Sequence, residues 1–154
     1  MSNDLTLTIL IMAVLIMMSA YFSATETAFS SLNKTRLKTL VEKGNKKAKL
    51  ALELSERYDK LISTILIGNN IVNIAATSLA TVIFIGIYGS IGATISTVVM
   101  TVLVLIFGEI SPKSMAKEAP ETFSMFSAPF IKFFMITATL MFFVAQAQAR
   151  FMAL

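Results

Sequence analysis

Three short groups of residues in this sequence have the types and spacing to do chemistry. Ser19 and Ser23 stand four residues apart, with Glu26 three further on. Asn69 and Asn73 are again four apart, with Gly68 and Asn70 beside Asn69. The third group is the run Gly108-Glu109-Ile110-Ser111-Pro112-Lys113. On a helix, residues four apart share a face, so each pair can aim its oxygens at one place. Pro112 has no N–H to give the carbonyl four residues earlier, which leaves that of Gly108 free beside Glu109. Gly68 similarly allows a close approach to the backbone before Asn69. The donors are hydroxyl, amide oxygen, backbone carbonyl and one carboxylate. Hard oxygens of this kind suit Mg²⁺, Ca²⁺ or Na⁺ and not softer transition metals. The chain has no Cys and no His, which removes thiol and imidazole nucleophiles, haem and iron–sulfur ligation, and nearly all structural zinc.

Each group also has a plainer reading. Serines between membrane helices often serve only close packing or a shared hydrogen bond, and Ser19 fits that role as well as ligation. A single Asn can be interhelical glue, whereas two at helical spacing, with a glycine and a Glu to hand, favour ligation. Glu26 and Asn70 fit the lining of an inner vestibule. Glu26 fits still better as an anchor at the end of its helix.

The elements that must position these groups are membrane helices. Of 154 residues, 56% are hydrophobic and 14% charged, where a soluble domain carries about a quarter charged. No Asp, Glu, Lys, Arg or His occurs in the 48 positions from Leu61 to Gly108, and a water-facing helix needs a polar face. The sequence therefore predicts one all-α integral membrane domain over 1–154, with three transmembrane helices at about 5–29, 61–87 and 91–108. The first lacks the basic start of a cleaved signal peptide and is long for one. Gly86, Gly89, Ser90 and Gly92 predict a tight turn, and so two antiparallel neighbours.

Nine of the thirteen basic residues fall between Lys34 and Lys60. That loop reads as two short amphipathic helices broken at Gly44-Asn45, a cytoplasmic-side hairpin. Its charge marks the inner face and suits anionic headgroups rather than nucleic acid. The N-terminus is then outside. Ser23 lies eleven residues before Lys34 and Asn69 nine after Lys60, which puts both ~14–16 Å from the inner boundary. The expectation is a ring of oxygens at nearly one depth, in the inner half of the bilayer. The segment 123–144, with Pro129 and Lys132, fits either a fourth span or a helix along the inner leaflet. The abrupt close after Arg150-Phe151-Met152-Ala153-Leu154 reads as a truncation.

Ser19-Ala20-Tyr21-Phe22-Ser23-Ala24-Thr25-Glu26-Thr27-Ala28, Gly68-Asn69-Asn70-Ile71-Val72-Asn73 and Gly108-Glu109-Ile110-Ser111-Pro112-Lys113 resemble motifs of the CorC and cyclin M (CNNM) family of Mg²⁺ transporters, in order and across essentially the whole chain. The resemblance implies a homodimer in the plasma or inner membrane, with 123–144 as a juxtamembrane helix and the C-terminus cytoplasmic. It implies Mg²⁺ held without most of its water by Ser23, Asn69, Asn73 and Glu109, with backbone oxygens such as those of Gly108 and Gly68 helping. It also implies export driven by inward Na⁺, and ATP binding through cytoplasmic CBS domains that this sequence lacks.

Two other classes set the boundaries. A membrane-embedded enzyme is not expected: there is no His, no Asp inside the spans, and no lysine near Ser19 or Ser23. A Mg²⁺-sensing anchor that binds the ion without moving it differs from a transporter by flux alone.

Overall fold

A computed structural model describes the backbone of residues 2–152 and the side chains of 4–138. The described residues are helical throughout, with no strand. Helix α1 runs Ser2–Ser30, α2 Lys34–Glu42, α3 Lys46–Glu56 and α4 Tyr58–Tyr88. A 3₁₀ turn at Gly89–Ile91 leads into α5, Gly92–Leu103, which widens to a π-helical segment at Val104–Ile110. Helices α6, Ser111–Glu118, and α7, Pro120–Met152, follow.

Two helical stretches are long and apolar enough to cross a membrane, Asp4–Ser30 and Tyr58–Glu118. The second doubles back on itself. Gly89 takes φ +64°, a left-handed conformation open to glycine at little cost. Three residues on, Gly92 lies against the Phe84 carbonyl, where a side chain would have no room. Thr81 Oγ1 and Ser96 Oγ, 3.2 Å apart, then join the two arms.

Side-chain ladders fix the directions. Ser30 meets Tyr58, Phe22 lies on Gly68 and Ser19 bonds Asn69, while Leu15 and Ile16 pack on the cluster of Ala76, Ala80 and Met100. As α1 advances α4 recedes, so the two are antiparallel. The α5–α6 arm runs the other way, parallel to α1: Gly108 lies on Ser19, Lys113 pairs with Glu26, and Ala116 packs with Ala24 and Ala28.

The basic segment folds where its asparagines stop and start helices. Asn33 accepts from Arg36 N at 3.1 Å, and Asn45 accepts from Lys47 N at 3.0 Å and Ala48 N at 3.1 Å; both are N-caps. Between them Gly44, at φ +83°, closes α2: its N–H reaches Val41 O at 2.8 Å and that of Asn45 reaches Leu40 O at 3.1 Å, the Schellman pattern.

The main core gathers Phe22, Phe29, Leu37, Leu54, Leu61, Ile65 and Ile131, so α1, α2, α3, α4 and α7 meet at one end of the bundle. Elsewhere apolar side chains face outward, among them Leu10, Val14 and Met17 on α1, Ile71, Ile74 and Val82 on α4, and Val98 and Val102 on α5. Such a surface suits hydrocarbon and not water. Helix α7 continues through Pro129 and packs on α3 and α1; Tyr21 of α1 donates its hydroxyl to Ser127 O at 3.2 Å. The part of 123–144 beyond residue 138 has side chains outside the described residues, as do 150–154.

Candidate metal centre

The site is built where three helical segments touch at small or polar residues. A β-carbon on Gly108 would sit 2.9 Å from Ser19 Oγ, and one on Gly68 2.6 Å from the Phe22 ring. The two glycines therefore let α5 and α4 close on α1. At that junction Ser19, fully buried, donates to Asn69 Oδ1 at 3.0 Å. Ser19, Asn69 and Gly108 are thus brought together.

The remaining candidates lie around this point rather than on it. Ser23 is one turn further along α1, fully buried, and its Oγ has no hydrogen-bond partner. Asn73 is one turn further along α4, and its buried Oδ1 also has none. Because α1 and α4 are antiparallel, these turns lead in opposite directions. Ser23 and Asn73 are eight helical steps, or ~12 Å, apart along the axis. The ring of oxygens at one depth expected from counting residues is therefore a column. Ligands sit ~2.1 Å from a Mg²⁺ ion, and both Ser23 Oγ and Asn73 Oδ1 are buried without a hydrogen-bond partner, one turn to either side of the junction. The set in direct contact is Ser19, Asn69 and Gly108.

That backbone is distorted. Ser111 N–H bonds Ile106 O, five residues back, the π register that often marks functional sites. The donor missing at Pro112 would serve Phe107 in this wide register and Gly108 in the ordinary one. Counting four residues back names only the second. Glu109 follows Gly108, half-buried, and makes no ion pair among the described residues. Glu26 instead pairs with Lys113 at 3.5 Å, tying α1 to α6, and Asn70 is exposed on another face of α4. Gly68 acts here as a seat for Phe22.

Beyond Asn73 a groove of about 240 Å³ runs between α4 and α5, lined by Asn73, Thr77, Thr97, Met100, Thr101, Val104 and Leu105. The hydroxyls of Thr77, Thr97 and Thr101 donate to Asn73 O, Ala93 O and Thr97 O at 2.8, 2.9 and 2.7 Å. Their hydrogens are committed to the helices, which leaves oxygen lone pairs for the groove. These threonines went unread in the sequence, although the four-residue spacing of Thr97 and Thr101 was there to find. Among the described residues no three carboxylate, imidazole or thiolate groups cluster. Apart from the Glu109 carboxylate beside Gly108, the oxygens here are neutral.

A family model for the cyclin M transmembrane N-terminal domain matches residues 10–153. The chain belongs to the cyclin M transmembrane domain family. A UPF0053 protein of Haemophilus influenzae is 47% identical over 127 residues, 82% of this chain and 30% of that protein. The UPF0053 inner membrane protein YfjD of Escherichia coli is 46% identical over 103 residues, 67% of this chain and 24% of that protein. A DUF21 domain-containing chloroplastic protein of Arabidopsis thaliana is 41% identical over 107 residues, 70% of this chain and 16% of its own length. The chain thus spans less than a third of the curated relatives it matches. As a cyclin M transmembrane domain it is a membrane protein, and its polar junction lies within the matched region.

Proposed function

We propose that this domain carries Mg²⁺ across the membrane, as an exporter driven by inward Na⁺, through a largely dehydrated site at the junction of α1, α4 and α5. The observation that carries the reading is the Ser19–Asn69 hydrogen bond packed on Gly108, with the unpartnered Asn73 Oδ1 one turn away. An amide oxygen buried without a partner costs roughly 1–3 kcal/mol, and a cation removes that cost. Glu109 supplies the one negative charge, the asparagines supply geometry, and the carbonyl left free by Pro112 supplies a further oxygen. Ser23, one turn away toward the inner face, is a second station on the same path. Weak binding suits a transported ion, which must also leave.

The topology that goes with this function has α1, α4 and α5 crossing the bilayer, with α2, α3 and α6 on the cytoplasmic side. Helix α7 lies along the inner leaflet, a placement supported by its packing on α3 of the basic segment. The N-terminus is outside and the C-terminus cytoplasmic, in the cell membrane. The domain works as a homodimer, and nucleotide regulation belongs to cytoplasmic domains outside this sequence.

The test is Mg²⁺ flux in sealed proteoliposomes, with and without a Na⁺ gradient. Flux that depends on the gradient and vanishes in Asn73→Ala and Glu109→Gln is expected. Mg²⁺ binding without flux would make the domain a sensor or anchor. Flux and Mg²⁺-dependent thermal stabilisation unchanged by both substitutions would remove the site.

A further inference from the structure

One cavity lies away from the polar junction. It has a volume of about 460 Å³ and lies where α3, the start of α4 and α7 meet. Its apolar lining comes from Leu50, Leu54, Met135 and Ile136. Leu54 and Met135 are 5% exposed, while Ile136 is 52% exposed and leads from the cavity to the outer surface of α7. Its charged lining is Arg57, Lys60 and Lys132 together with Glu53 and Glu56.

These five charges are exposed and do not form ion pairs with one another. Both signs line one cavity without neutralising each other. The cavity opens at the start of α4, beside Lys60, where the charged basic segment gives way to the uncharged run. An occupant that fits must be apolar at one end and carry both a negative and a positive group at the other.

We infer that this cavity holds a phospholipid whose headgroup bears both a phosphate and a primary amine, a phosphatidylethanolamine. The phosphate lies among Arg57, Lys60 and Lys132, whose N–H groups donate to its oxygens. The ammonium donates to the carboxylates of Glu53 and Glu56. One acyl chain covers Leu54, Met135 and Ile136. A phosphatidylglycerol supplies the phosphate but leaves both carboxylates unpaired. A phosphatidylcholine supplies a cation with no hydrogen to donate. The site depends on the chain lying in a membrane and not on what ion the domain moves, so ion flux and lipid retention succeed or fail separately.

The experiment is native mass spectrometry of the full chain in detergent. Dioleoyl-phosphatidylethanolamine, -phosphatidylglycerol and -phosphatidylcholine are added in equal amounts, and thermal shifts are measured alongside. One phosphatidylethanolamine per chain is expected to survive at activation energies that strip the other two, with the largest rise in melting temperature. Lys132→Ala should lower its retention about five-fold, one basic contact's worth at a membrane surface. Lys132→Arg should restore it, which separates a lost contact from a lost fold. Glu53→Gln with Glu56→Gln should abolish the preference over phosphatidylglycerol. Equal retention of the three lipids, or a preference for phosphatidylglycerol, overturns the proposal. So does Lys132→Ala retaining the lipid as the parent does. Soluble phosphoethanolamine lacks the chains and should give no shift; a shift equal to the lipid's would make this a site for a free phosphate compound and overturn the lipid assignment.

Discussion

Ser19 Oγ donates a 3.0 Å hydrogen bond to Asn69 Oδ1 across the α1–α4 contact. This bond sets the register of the two helices, and it separates the two serines that share a face of α1. Ser19 belongs to the asparagines, while Ser23 lies a turn away from them.

The first prediction follows from that register. Ser19→Ala should weaken Mg²⁺ binding about tenfold, the scale of losing a group that orients or joins a metal ligand. Ser23→Ala should change it less than about two-fold, since Ser23 lies one turn from the Ser19–Asn69 junction and serves a separate station. Isothermal titration of both variants beside the parent decides. Equal losses would mean that α1 and α4 slide to bring both hydroxyls to one ion.

The glycines give the second. Gly108→Ala puts a methyl 2.9 Å from Ser19 Oγ, and overpacking of this kind costs about 1–3 kcal/mol. Both thermal stability in metal-free buffer and Mg²⁺ affinity should fall. Gly68→Ala drives a methyl into the Phe22 ring at 2.6 Å and should destabilise similarly. Adding Phe22→Leu should recover much of that loss, because the obstacle is a side chain. At Gly108 the obstacle is Ser19 Oγ, so relieving it by Ser19→Ala should recover stability without recovering Mg²⁺ affinity.

Pro112 gives a prediction with opposite signs in two conditions. Pro112→Ala returns an N–H to a carbonyl that the proline leaves free, worth about 1 kcal/mol net. Stability without metal should therefore rise, and the gain in melting temperature on adding Mg²⁺ should shrink. Differential scanning fluorimetry in chelator and in Mg²⁺ reads both. An undiminished Mg²⁺ gain would take the carbonyl out of the ligand set.

The Glu26–Lys113 pair is the fourth. Its side chains are 28% and 39% exposed, and exposed pairs contribute only about 0–1 kcal/mol. Glu26→Gln should leave the melting temperature nearly unchanged. The reversed pair, Glu26→Lys with Lys113→Glu, should keep both stability and Mg²⁺ flux. Loss of flux in the reversed pair at unchanged stability would make Glu26 part of the ion's inner vestibule rather than a strut between α1 and α6.

Much of the architecture was legible in local chemistry. The uncharged run from Leu61 to Gly108 requires apolar surroundings whatever it packs against. Gly44 and Asn45 stop one helix and start the next through their own backbone and side-chain bonds. Gly89 turns the chain because its φ suits no other residue as well. Each of these depends on a few neighbouring residues, so sequence reports it directly.

The candidate site was legible as residue types and not as an arrangement. Spacing put Ser19 with Ser23 and Asn69 with Asn73, since positions four apart share a helical face in any helix. It left open which serine meets which asparagine. That depends on where two antiparallel helices stop sliding past each other, which is set by a phenyl ring seated on Gly68 and the Ser19–Asn69 bond. The widened π turn, which changes the carbonyl next in line at Pro112, is likewise a product of packing. Sequence alone determined that this chain lies in a membrane with hard oxygen donors on its helices. Tertiary structure decided which of them meet, because register is a property of contact between helices and not of either helix alone.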